Sequence, residues 1–138
     1  MKIVVFDTNV LLDLFVFNDF RALHLKQALI DGRIDALATP NTLAEFADVI
    51  SRPLFSLEKV QQEQIYLQWQ SLARLIDDLR LSKAPWRCND PDDQVFLDLA
   101  YTVRPCILIS KDNEVIRLAT KAAIEQVLIK ADYTTLDL

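Results

Sequence analysis

Ile3-Val4-Val5-Phe6 is a run of four β-favouring apolar residues that stops abruptly at Asp7-Thr8-Asn9, after which Val10-Leu11-Leu12 resumes. A strand that is apolar at every position must be covered on both faces, as in a parallel sheet sandwiched between helices. Asp7 then stands at the carboxyl end of that strand, the edge where open α/β sheets bind ligands. An Asp in this place also suits the N-cap of the next helix, so it has a structural reading beside the functional one. The same construction recurs at Cys106-Ile107-Leu108-Ile109, which ends at Ser110-Lys111-Asp112-Asn113-Glu114. If both strands are parallel and central, Asp7 and Asp112 emerge at one edge and form a pair across a crevice.

Further strands are expected at about Asp35 to Ala38 and Val127 to Ile129, with helices between them. One helix runs from about Arg21 to Asp31, with Gly32 as its left-handed stop. Thr39-Pro40 supplies a cap and a first-turn proline for a helix through about Ile50, and Arg52-Pro53 ends it. Leu57 to about Leu81 reads as helical, either continuous or with a break, with Ile65, Trp69 and Leu72 on one face. Trp69 and Tyr66 there are expected in the core or at a subunit interface. Asp90-Pro91-Asp92-Asp93 opens a helix carrying Val95, Phe96, Leu99 and Ala100, which Arg104-Pro105 closes. A short helical run follows from Val115 to Lys121. Alternating strands and helices without Gly-rich hairpins predict a three-layer α/β domain around a mainly parallel sheet.

With 138 residues, 51% of them hydrophobic, a single domain spanning 1–138 can bury its own core. Asp7 and Asp13 interrupt the N-terminal apolar run before a signal-peptide core is complete, and no stretch is apolar for long enough to span a bilayer. Cys106 lies in an apolar run and Cys88 in a polar loop, so no disulfide framework is indicated. These features predict a soluble protein of the reducing cytoplasm.

The formal net charge of -5 argues against a generic nucleic-acid coat. It leaves a nuclease open, because carboxylates gathered around a divalent metal hide the site's positive charge from the net figure. The single glycine excludes a P-loop and a dinucleotide fingerprint. Asp7, Asp112 and Asp92-Asp93 all stand at element ends, and Glu45 lies off the stripe of Leu43, Phe46, Ala47 and Ile50 on its helix. Individually each has a structural reading; Asp92 and Asp93 favour a helix N-terminus through its dipole. Together, several acids in one crevice require either a cation or raised pKa values. Oxygen ligands with no His or Cys nearby suit Mg²⁺ or Mn²⁺ rather than zinc.

Four motifs in order, Val4 to Leu12, Thr42-Leu43-Ala44-Glu45-Phe46, Asp90 to Leu97 and Leu108 to Asp112, resemble the PIN-domain family. Within it the chain is most similar to stand-alone bacterial VapC-type toxin ribonucleases. The resemblance implies a Rossmann-like sheet and a metal-dependent endoribonuclease, and single-stranded RNA is the expected substrate because unpaired bases can stack on aromatics while the backbone meets the metal. Its acids fall on Asp7, Glu45, Asp93 and Asp112, with Asn9 and Ser110 at supporting polar positions. Asp92 could take the place of Asp93, and Glu114 could join or replace Asp112. One or two Mg²⁺ or Mn²⁺ ions, a cognate antitoxin and a homodimer are also implied. Lys111, Arg87 and Arg52 are candidate phosphate contacts by their nearness to the motifs, and Trp86 is a candidate contact for a base or partner.

Two other functions remain open in the sequence. One is a phosphatase using Asp7 as nucleophile, although Asn9 stands where a general acid would be wanted. The other is a PIN-like module that binds RNA or protein without cutting.

Overall fold

In a computed structural model, which describes residues 1–134 and 136–138, the N-terminal run forms β1 (Lys2–Phe6) at the middle of a five-stranded sheet. Its companions are β2 (Ile34–Ala38), β3 (Arg74–Leu75), β4 (Cys106–Ile109) and β5 (Val127–Lys130), in the order β3-β2-β1-β4-β5, and every pairing is parallel. The helices are α1 (Thr8–Phe15), α2 (Leu23–Ile30), α3 (Pro40–Ile50), α4 (Lys59–Leu72), α5 (Pro91–Val103), α6 (Asn113–Ile116) and α7 (Ala119–Ile124). None of them is long and apolar enough to cross a membrane.

The side chains of β1 explain why the run had to be apolar throughout. Val4 and Phe6 point into one core with α1, α2, α3 and Trp69 of α4, while Val5 points into a second core with α5, α6 and α7. β4 divides the same way, Ile107 and Ile109 to the first core and Leu108 to the second. This is the strand period of two with both faces covered. Local signals set the helix starts. Thr39 and Thr42 form a reciprocal cap at α3, with backbone–side-chain bonds of 2.9 and 3.1 Å. Gly32 takes a φ of +71° after α2, as its place in the sequence predicts.

Two expectations are corrected. The helical reading from Leu57 to Leu81 holds only to Leu72; Ala73 is extended, and Arg74–Leu75 pair with Leu37 and Ala38 as the edge strand β3. The Arg74 guanidinium meets Asp35 of β2 at 2.7 Å, a contact between distant segments that helical periodicity cannot reveal. Trp86, read as a candidate contact for a base or partner, is only 5% exposed. Its ring packs edge-on against Tyr101 of α5 with centroids 5.5 Å apart, so it is core. Trp69 is core as well, set between Phe6 and Phe15.

β1 and β4 form the switch point of the sheet. The chain winds outward from β1 through β2 to β3 on one side and from β4 to β5 on the other. Phe6 pairs with Ile109 at the carboxyl ends, so Asp7 and Ser110 leave the sheet side by side. Crevices at such points receive ligands because the flanking connections diverge there.

Candidate active site

Asp7 caps α1 and also lines a cleft at the sheet edge. Its Oδ1 accepts the backbone N–H of Val10 at 3.0 Å and caps α1, while its Oδ2 accepts the hydroxyl of Ser110 at 2.5 Å. Ser110 is fully buried, and its Oγ accepts the backbone N–H of Asp112 at 3.1 Å. Asp112 in turn caps α6, accepting the backbone N–H of Glu114 at 2.9 Å. The supporting serine therefore joins the two acids that the parallel strands deliver to one edge.

From the other side of the switch point, α3 presents Glu45, whose Oε2 accepts the hydroxyl of Thr8 at 2.9 Å. Leu43, Phe46 and Ile50 are buried and seat α3 on the first core, which leaves Glu45 at the helix's margin facing α1. Asp90 caps α5, and the half-buried Asp93 in its first turn reaches the carboxyl of Asp112. A cleft of about 280 Å³ is lined by Asp7, Asn9, Glu45, Asp90, Asp92 and Asp93, with Thr8, Arg52 and Phe55 also on its wall.

The electrostatics follow from this crowding. Burial raises the pKa of Asp7, opposed by its bonds from Ser110 and Val10 and reinforced by Asp112. Glu45 is raised by burial first and by Asp92, Asp90 and Asp7 after it. Asp93 is pushed up to about 7 by burial, by its hydrogen bond with Asp112 and by the neighbouring acids. Two carboxyl groups in hydrogen-bond contact must share a proton or part.

The other named residues divide clearly. Asn9 and Asp92 are exposed on the cleft wall. Glu114 instead accepts from Asn89 at 3.2 Å and from Arg117 at 3.1 Å. Arg52 reaches the cleft and also contacts Asp48 at 3.2 Å on its own helical turn. Arg87 lies 3.6 Å from Asp98, in a separate recess beside Cys88 and Gln94. The ammonium of Lys111 is 2.5 Å from the carboxylate of Asp13.

Thr8 and Asp90 line the cleft and Asp13 holds Lys111, three placements not expected from the sequence. For Asp13 a signal was present, a lone charge between Leu12 and Leu14 in an otherwise apolar stretch.

Among the described residues, no three Asp, Glu, His or Cys side chains already converge as a closed set of metal ligands. The donor chemistry nonetheless fits a hard divalent cation. Every acid offers only oxygen, and Asp93 and Asp112 crowd each other, a repulsion that a cation would relieve. This has a consequence for pH. Without metal, the folded protein keeps a proton on Asp93 that the unfolded chain releases near pH 4. Stability from this group is complete below that pH and is lost as pH rises through about 7. Thermal melts of the metal-free protein are expected to show a higher Tm at pH 5 than at pH 8, and Asp93→Asn to flatten the difference.

A family model described as PIN domain matches residues 3–114. No protein of curated function matches the sequence. Among solved structures, a chain from the crystal structure of VapBC2 from Rickettsia felis, bound to a DNA fragment from their promoter, is similar with a TM-score of 0.64. The two are 13% identical, and the match covers 94% of this chain and 98% of that one.

Proposed function

The chain belongs to the PIN-domain family, and from that premise we propose that it is a metal-dependent endoribonuclease of single-stranded RNA, the toxin of a toxin–antitoxin pair. The observation that carries this reading is that Asp7, Glu45 and Asp93 line one cleft at the switch point of the sheet, with Asp112 near enough to Asp7 and Asp93 to act on both charges. The similar structure is a VapBC2 complex on promoter DNA, which favours a protein partner of the antitoxin kind for this chain too.

In this reading Asp7, Glu45, Asp93 and Asp112 hold one or two Mg²⁺ or Mn²⁺ ions. When bound, such an ion makes water a competent nucleophile at neutral pH and neutralises charge gathering on the phosphate. Asp7 is kept in place by its cap on α1 and by Ser110, so its carboxylate needs no reorganisation on binding. Thr8 fixes Glu45 in the same way. Asn9 and Asp92, exposed on the wall, are placed to orient the phosphodiester and its water. Hydrolysis consumes one water, breaks the bond from phosphorus to the 3′ oxygen, and leaves a 5′-phosphate and a 3′-hydroxyl. Arg52 is the cation on the cleft wall and is suited to a flanking phosphate, since its exposed pairing with Asp48 costs little to exchange.

The test is cleavage of an end-labelled single-stranded RNA with Mn²⁺ or Mg²⁺, beside an EDTA control. Metal-dependent cutting is expected. Mn²⁺ at about a hundred times its dissociation constant is also expected to stabilise the protein by about 2.7 kcal/mol in thermal melts. A protein that neither cuts nor responds to either ion is not a nuclease of this kind.

A further inference from the structure

We propose that Asp13 is a positioning residue for the acid site: with Lys111 and Tyr133 it fixes the loop between β4 and α6, and through it the cation affinity of Asp7, Asp93 and Asp112. The proposal rests on the reading that this cleft holds a divalent ion.

Asp13 is 5% exposed on α1, whose other residues from Val10 to Phe15 are all apolar and buried. Its Oδ2 accepts from Lys111 Nζ at 2.5 Å and from Tyr133 Oη at 2.6 Å. A buried carboxylate needs such partners, but stability alone does not explain it. The lysine side of the pair is 40% exposed, which limits what the ion pair adds to stability, and a leucine would continue this face of α1. What the pair provides is a tether at one particular place.

Lys111 is the residue between Ser110 and Asp112. Holding its ammonium restrains the segment on both sides of it. On one side Ser110 donates to Asp7, and on the other Asp112 meets Asp93. One carboxylate on α1 thus governs the loop that connects the acid following β1 with the acid opening α5. Tyr133 adds the C-terminal segment to the same point, and its carbonyl oxygen lies 2.6 Å from His24 Nε2 on α2. Tyr133 lies beyond the residues matched by the family model, so this third strut is outside the shared region.

A tether of this kind acts on ligand geometry and need not touch substrate. Partners that orient metal ligands typically change metal affinity by 10–100-fold when removed. The experiment is Mn²⁺ binding to the full chain by calorimetry, without RNA, with folding followed by circular dichroism. Asp13→Asn and Lys111→Met are each expected to raise the dissociation constant by about tenfold or more. Lys111→Arg, which can keep the ion pair, is expected to stay near the wild type. The double variant should bind no more weakly than the weaker single, because both remove one tether.

Lys111 is partly exposed, so Lys111→Met remains informative even if Asp13→Asn does not fold. Wild-type Mn²⁺ affinity in Lys111→Met, whether with a lower Tm alone or with weaker RNA binding alone, would overturn the proposal. In the first case the pair is only structural, and in the second Lys111 is a phosphate contact; the nuclease reading survives both. If the wild type itself binds neither Mn²⁺ nor Mg²⁺, the nuclease reading fails and the positioning role fails with it.

Discussion

Asp7→Asn is expected to remove RNA cleavage while leaving the fold intact, and in the metal-free protein at pH 8 to raise Tm. The two effects have one cause. Asp7 is 4% exposed, and burial disfavours its charged form, which raises its pKa. Asparagine caps a helix about as well as aspartate, so the bond from Val10 is preserved and α1 begins where it did. The charge that would hold a cation is gone, and with it several kcal/mol of transition-state stabilisation, about a thousandfold in rate. The Tm gain should shrink as pH falls and vanish only below the unfolded Asp pKa of about 3.9, where the carboxyl is neutral in both states. Single-turnover cleavage and melts with and without Mn²⁺ measure all of this. A variant that keeps cutting would remove Asp7 from the chemistry, and one that is destabilised at pH 8 would show that its role is structural.

Trp69→Ala is expected to cost about 3–5 kcal/mol, a fall in Tm of roughly 10 °C or more. The indole is 1% exposed, with its ring centroid 6.0 Å from that of Phe6 and 5.9 Å from that of Phe15. Its Nε1–H has no partner among the described residues, so the loss is packing and not a hydrogen bond. Both aromatic neighbours belong to the elements that flank Asp7, since Phe6 ends β1 and Phe15 ends α1. The cavity should therefore loosen the site as well as the core, lowering cleavage at temperatures where the variant is still folded. Trp69→Phe, which fills most of the space, should be much milder. Urea titrations of the three proteins decide it, and a loss under about 1 kcal/mol for the alanine variant would mean that the core closes over the gap.

How much of this was legible in the sequence depends on the range of the interaction that places each residue. β1 and β4 were readable because a strand covered on both faces must be apolar at successive positions, and Asp7 and Asp112 follow from where those runs stop. The starts of α3 and α5 were readable because caps act within three residues: Thr39 with Thr42, and Asp90 with Asp92. The edge strand β3 was not. It is two residues long and exposed, and its pairing with β2 replaces the helical pattern that the preceding residues suggest. Trp86 could not be assigned to the core from its polar neighbourhood, since the ring that covers it, Tyr101, is a helix away.

By itself, then, the sequence determined the layered parallel architecture and which carboxylates stand at strand and helix ends. Those properties are written in patterns that repeat every two residues in strands and 3.6 in helices, together with local caps. Only the tertiary structure decided that Asp93 meets Asp112, that Thr8 holds Glu45, and that Lys111 turns to Asp13. Hydrogen bonds and charge pairs of that kind act over a few ångströms in space between residues tens of positions apart, and a linear pattern carries no record of such distances until the chain has packed.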